Sequence, residues 1–112
     1  MITYVYCTFQ KEGFHKWNGA TEIPEVSYLA NKHRHIFHYK VGVSVEHNDR
    51  EVEFIMLKHQ LETFVDKWNK EDYGSCETQA SRIYGYLVYN YSNRNYFVEV
   101  SEDGENGSIM LS

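Results

Sequence analysis

The sequence predicts an α+β fold in which a four-stranded antiparallel sheet carries two helices on one face. Two observations support this fold class. The odd-numbered residues from 33 to 45 are two histidines followed by five apolar residues, and this period of two is typical of a half-buried strand. Between residues 52 and 91 the apolar residues instead recur every three to four positions, which is typical of amphipathic helices. A sheet with one apolar face and two amphipathic helices favours a two-layer domain.

The first strand is predicted at residues 2 to 10, where "ITYVYCTFQ" is rich in β-branched and aromatic side chains. Residues 11 to 32 are predicted to be irregular, because they contain the only proline, Pro24, and the turn-prone stretch "WNGATEIPE". The second strand is predicted at residues 33 to 47, and "HNDR" then turns the chain.

The two helices are predicted at residues 52 to 69 and from residue 76 to about residue 91. Ser75 is a suitable cap for the second helix, and Glu77 lies in its positively polarised first turn. "YFVEVSE" is predicted as the third strand, "DGENG" as a hairpin turn and "SIMLS" as a short last strand. The predicted order is therefore β-β-α-α-β-β in a single domain, residues 1 to 112.

The composition excludes several classes of partner. The formal net charge is −5 and no stripe of Lys and Arg is present, so a nucleic-acid polymer is not expected as a partner. No apolar run approaches the roughly 20 residues that a membrane span needs, so no membrane association is expected. The start "MITYVYCTFQ" has the pattern of a strand rather than a signal peptide, and the two cysteines are far apart in the sequence, which indicates a reducing, cytoplasmic location.

Four of the six histidines lie between residues 33 and 47. His33 and His35 fall on the same face of the predicted strand, about 7 Å apart along it, so both rings can reach one ion. Catalytic zinc usually has three protein ligands and an open position, and His15 is the best candidate for the third ligand. The alternative is that these are surface histidines near a strand end. His38, on the opposite face, His47, at a turn, and His59, on a helix, are expected to be solvated or core-edge residues.

Several short motifs share the order of those in one enzyme family. A histidine follows the first predicted strand, and an HxH motif opens the second. "EVEF" precedes the first helix, "CETQASRI" opens the second with Glu77 and Ala80 in register, and "VEVSE" ends in Glu102. With the β-β-α-α-β-β order, these motifs resemble the 6-pyruvoyltetrahydropterin synthase / 6-carboxytetrahydropterin synthase family over nearly the whole chain.

The resemblance implies a tunnelling fold (T-fold), in which subunits join into a barrel as trimers or hexamers with the ligand site between subunits. It implies that His15, His33 and His35 hold zinc. It also implies that Glu102 grips the 2-amino-4-oxopyrimidine edge of a pterin or guanine-like ring, since a carboxylate accepts two parallel N–H bonds from such an edge. Two further residues are expected at the substrate, Glu77 and Cys76.

Cys76 has two interpretations at the sequence level. It enters the site from the start of the second helix, where a helix N-terminus lowers the pKa of a thiol. Alternatively, it is a small buried residue that behaves as an apolar side chain.

The sequence departs from the family at two catalytic positions. The family's catalytic cysteine precedes the HxH motif, but the corresponding stretch here is "EVSYLANK", in which Glu25 and Ser27 are the only plausible polar replacements for it. After the first helix, "FVDKWN" matches the family's aspartate with Asp66 but has Lys67 in place of its histidine. The family reaction moves protons at the substrate side chain and needs positioned acids and bases. Asp66 and Glu25 are therefore the candidate catalytic residues.

Three functions stay open at this level. The first is a zinc-dependent lyase that acts on dihydroneopterin triphosphate or a related pterin and feeds tetrahydropterin, folate or queuosine-type synthesis. The second is a non-catalytic binding module that holds or sequesters a pterin, purine or guanine-type nucleotide. The third is a purely structural domain in which the histidine pattern arises by chance.

Overall fold

The computed structural model describes residues 1–112 and contains four strands and two α-helices. The strands pair in the order β1-β2-β3-β4, and every neighbouring pair is antiparallel. The α+β class and the predicted element order are therefore confirmed. In chain order the elements are β1 (Thr3–His15), β2 (His33–Val45), α1 (Phe54–Asp66), α2 (Cys76–Asn90), β3 (Tyr96–Glu102) and β4 (Asn106–Leu111).

The strand β1 is longer than the sequence predicted. It ends at His15 rather than at residue 10, because its pairing with β2 runs without interruption from Thr3↔Val45 to His15↔His33. The segment "KEG" has weak strand propensity, and pairing with β2 overrides that preference. The remainder of the expected irregular segment contains two short 3₁₀ helices, Asn18–Glu22 and Pro24–Ala30.

One hydrophobic core lies between one face of the sheet and the two helices. The odd-numbered residues of β2 face this core as predicted, and their apolar members from Phe37 to Val43 are at most 1% exposed. Buried side chains on the helices recur at helical spacing, which places one stripe of each helix against the sheet. The stripes consist of Leu57, Leu61 and Val65 in α1 and of Ala80, Ile83 and Leu87 in α2.

The ends of the helices follow local capping chemistry. The Ser75 side chain accepts a hydrogen bond from the Thr78 backbone N–H at 3.0 Å, so the predicted cap of α2 is confirmed. The helix α1 is shorter than the predicted range of 52 to 69, and it begins after Glu53, whose carboxylate accepts from the Ile55 N–H. Neither helix has the length and apolar composition required to cross a membrane.

Candidate metal centre

The end of β1 and the start of β2 lie side by side, which brings three histidines together. His15 pairs directly with His33 across the antiparallel strands, and His35 follows on the same face. The ring centroids are 4.6 Å apart for His15 and His33, 5.1 Å for His15 and His35, and 4.9 Å for His33 and His35. One ring nitrogen from each histidine lies within 4.8 Å of the other two. The predicted cluster is therefore present in the fold.

The segment before α2 is hydrogen-bonded to the end of β1, and these bonds position the backbone carbonyl of Gly74 near His15. The Phe14 N–H donates to the Lys70 carbonyl at 3.0 Å, and the Tyr73 N–H donates to the Phe14 carbonyl at 2.8 Å. The ring of Tyr73 packs so closely over Gly13 that a Cβ there would lie 2.6 Å from it. Gly74 follows with φ +82°, a conformation that glycine adopts without strain, and turns the chain into α2.

The outer nitrogens of His15 and His33 are both bound to backbone carbonyls. His15 Nδ1 lies 2.9 Å from the Gly74 oxygen, and His33 Nδ1 lies 2.7 Å from the Asn31 oxygen. A carbonyl oxygen only accepts, so each Nδ1 must carry the hydrogen and donate it. The inner nitrogen, Nε2, of each neutral ring is left with a free lone pair, the form that binds a metal.

His35 is held by a carboxylate that the sequence analysis did not single out. Asp103 Oδ2 accepts from His35 Nδ1 at 2.7 Å, while Asp103 Oδ1 accepts from the Ile36 N–H at 2.9 Å. The hydrogen bond from the Ile36 N–H lowers the pKa of the Asp103 carboxyl below its usual range, and the bond from His35 has a smaller effect in the same direction. A carboxylate on the outer nitrogen of a histidine is the usual support for a metal-binding imidazole. The only local feature of the sequence near Asp103 was the acidic stretch "EDGEN", residues 102–106, which spans the turn from β3 to β4.

The inner nitrogens fit a metal. His15 Nε2 and His35 Nε2 are buried and have no hydrogen-bond partner. Leaving such a polar atom buried and unpaired costs about 1–3 kcal/mol, and a metal ion at the centre of the cluster would satisfy both atoms. Three neutral imidazoles are a ligand set that suits zinc. Glu102 Oε2 lies 3.2 Å from His15 Nε2 and 3.6 Å from His35 Nε2.

A cavity of about 400 Å³ opens beside the histidines. That volume lies within the range of sites for small molecules. Its walls include His15 and His33 together with the three residues predicted to lie at the substrate: Cys76, Glu77 and Glu102. Sequence reasoning missed the other residues of the wall, among them Lys16, Trp17 and Asn106, because nothing in their local pattern distinguishes them from surface residues.

The two candidate catalytic residues lie elsewhere in the chain. Asp66 is the last residue of α1, its side chain is 59% exposed, and it pairs with Lys11 Nζ at 2.8 Å. Glu25 is exposed on the second 3₁₀ helix. Neither residue lines the cavity of its own chain.

The environment of Cys76 differs from the expectation of a lowered thiol pKa. Burial, with smaller effects from the charges of Glu102 and Glu77, raises the pKa of Cys76 to about 12. Desolvation of the thiolate therefore outweighs the lowering expected from the helix N-terminus. Cys76 is 7% exposed, which agrees with the alternative interpretation as a small buried residue.

We expect both thiols of the native protein to react slowly with iodoacetamide. Burial raises the pKa of Cys7 to about 11 as well, and the thiolate is the reactive form. At pH 8 the native chain should be alkylated at least roughly tenfold more slowly than the chain in denaturant, as measured by mass spectrometry. The Cys7→Ser variant isolates Cys76, and equal rates for its native and denatured forms would contradict the buried environment.

Comparison of the chain with protein-family models gives no match, and comparison with curated proteins gives none either. The support for a function therefore comes from the site itself. That support is the convergence of three imidazole nitrogens at one end of a cavity that is also lined by carboxylates, a lysine and a tryptophan.

Proposed function

We propose that the protein binds one zinc ion through Nε2 of His15, His33 and His35, and that it takes a pterin-like heterocycle in the adjoining cavity. One observation carries the proposal: the three rings converge, and an oxygen acceptor holds Nδ1 of each ring. Bound zinc would polarise a hydroxyl or carbonyl oxygen on the side chain of the ligand.

The cavity walls suit an electron-poor, hydrogen-bond-donating ring with an anionic substituent. Glu77 and Glu102 supply carboxylates that can accept paired N–H groups from a guanidine-like edge. Trp17, which is 48% exposed, offers a flat surface for stacking. The ammonium group of Lys16 would attract a phosphate. These features support a pterin, purine or guanine-type compound as the ligand class.

The proposed activity is that of a zinc-dependent lyase of the 6-pyruvoyl/6-carboxytetrahydropterin synthase type, with dihydroneopterin triphosphate or a related pterin as substrate. Proton transfer by Asp66 or Glu25 would then require a neighbouring subunit to supply the residue, as in a T-fold trimer or hexamer. Both cysteines are free thiols, in keeping with the cytoplasm as the proposed compartment.

One observation favours the second candidate function, a non-catalytic module that holds or sequesters such a ligand. Asp66 is engaged by Lys11, and Glu25 lies outside the cavity of its own chain. The cavity of one chain then contains a metal site and ring-binding carboxylates but neither of the candidate proton-transfer groups.

The experiment that tests the proposal combines zinc analysis with a turnover assay. The purified protein is expected to contain about one zinc per chain, measured by mass spectrometry. It is then mixed with dihydroneopterin triphosphate, and released triphosphate is followed. Release identifies the lyase, whereas heat of binding in calorimetry without release identifies the module. Absence of both zinc and ring binding would overturn the proposal.

A further inference from the structure

We propose that Glu102 is a fourth, carboxylate ligand of the metal ion when no small molecule occupies the cavity. This inference rests on the proposed histidine site and goes beyond it. The resemblance assigns Glu102 to the edge of a ring, whereas its position here also assigns it to the metal.

The sheet places Glu102 on the same side as the histidines. It is the last residue of β3, and its partner in the register is Phe37 on the core-facing side of β2. His35 lies two residues before Phe37 on that same face. The Glu102 side chain consequently reaches the inner nitrogens, with Oε2 at 3.2 Å from His15 Nε2 and 3.6 Å from His35 Nε2.

These separations match those between two ligands of one zinc ion. Zinc binds imidazole nitrogen at ~2.0–2.1 Å and carboxylate oxygen at ~2.0–2.2 Å, so two ligand atoms at a tetrahedral angle lie roughly 3.3–3.5 Å apart. The two observed distances from Glu102 lie within a few tenths of an ångström of this range.

The alternative explanation is an ion pair between Glu102 and a protonated histidine. That explanation requires a hydrogen between the carboxylate and Nε2, yet His15 Nε2 and His35 Nε2 make no hydrogen bond. Nδ1 of each ring already has an acceptor, the Gly74 carbonyl for His15 and the Asp103 carboxylate for His35, so the tautomer with its one hydrogen on Nδ1 leaves a lone pair on Nε2. With neutral rings, two imidazole nitrogens and a carboxylate oxygen lie 3.2 and 3.6 Å apart without a hydrogen bond between them, an arrangement that a divalent cation would stabilise.

No lysine or arginine competes for this carboxylate. The ion pairs of Glu102 involve only His15 and His35, and its side chain is 30% exposed. The next residue, Asp103, holds the outer nitrogen of His35. Two consecutive acidic residues thus lie beside the two nitrogens of the His35 ring, Asp103 at Nδ1 and Glu102 near Nε2. A ring ligand that forms hydrogen bonds with Glu102 would displace this carboxylate from the metal. Binding of the ligand would then free one coordination position on the metal.

The test compares the zinc affinity of wild type and Glu102→Gln by competition with a chromogenic chelator. The amide is close in size to the carboxylate but is a much weaker ligand, so affinity should fall at least about tenfold, the lower end of the loss seen for metal-site partners. The matched control is Glu105→Gln, which makes the same change of charge at an exposed position in the same turn. It should leave zinc affinity within about threefold of wild type.

Two further measurements separate coordination from charge. The visible absorption of the Co²⁺-loaded protein depends on the number and type of ligands, and it should change in Glu102→Gln but not in Glu105→Gln. Glu102→Asp keeps the charge but shortens the side chain by one methylene, so it should also weaken zinc binding. If circular dichroism shows that the glutamine variant is not folded, the zinc affinity and the Co²⁺ spectrum of Glu102→Asp provide the test instead.

The outcomes distinguish this inference from the proposed function. If His33→Ala loses zinc while Glu102→Gln binds it as tightly as Glu105→Gln, the fourth ligand is overturned and the histidine site stands. If Glu102→Asp binds as tightly as wild type and keeps the Co²⁺ spectrum, the carboxylate acts through charge alone and the inference fails. If wild type takes up neither Zn²⁺ nor Co²⁺, both the histidine site and the fourth ligand are refuted.

Discussion

Replacement of His35 by alanine is expected to abolish stoichiometric zinc binding. A zinc site with about 10–16 kcal/mol of binding free energy gains ~3 kcal/mol from each of four ligands if they contribute equally. Loss of one ligand then weakens binding by roughly a hundredfold or more, enough for zinc to be lost during purification. The measurement is metal content by mass spectrometry after dialysis against a weak chelator.

Thermal unfolding provides an independent readout of the same variant. Added zinc should raise the melting temperature of wild type, because a ligand that binds only the folded state stabilises it. The same addition should leave His35→Ala unchanged. The control is His59→Ala, an exposed histidine on α1 that should retain both zinc and the thermal shift. Full zinc content in His35→Ala would remove His35 from the ligand set.

Replacement of Gln79 by leucine is expected to destabilise the fold by about 1–3 kcal/mol, the cost of leaving one buried polar group without its partner. Gln79 is fully buried in α2, and its Oε1 accepts from the hydroxyl of the buried Tyr39 at 2.6 Å. Its Nε2 donates at 3.1 Å to the Gly74 carbonyl, the same oxygen that receives His15 Nδ1. The leucine variant leaves the Tyr39 hydroxyl without its acceptor and removes one donor from Gly74.

Chemical unfolding of the zinc-free protein measures this cost without interference from metal binding. The double variant Tyr39→Phe/Gln79→Leu removes both partners of one hydrogen bond, so its loss of stability should be smaller than the sum of the two single losses. Strictly additive losses would show that the two side chains do not act as a pair.

Much of the fold follows from patterns that extend over only a few residues. The alternation along residues 33–47 places His33 and His35 on the core-facing side before any contact is known, because side chains in a strand alternate between faces. Ser75 follows a helix-breaking segment and has a hydroxyl suited to capping, so the start of α2 can also be predicted from the sequence. The ends of the helices and strands were harder to predict, since β1 extends to His15 only through its pairing with β2.

The completed site depends on contacts between residues far apart in the chain. The Gly74 carbonyl that fixes His15 is 59 residues away, and the Asp103 carboxylate that fixes His35 is 68 residues away. The sequence pointed to His15 as a third ligand, but only the register of β1 with β2 sets it opposite His33. Local periodicity records which face a side chain occupies, whereas the pairing of strands and the path of the connecting segments determine which faces meet. The choice of partner for each ring nitrogen, and the position of Glu102 beside two of them, was therefore decided by the tertiary structure.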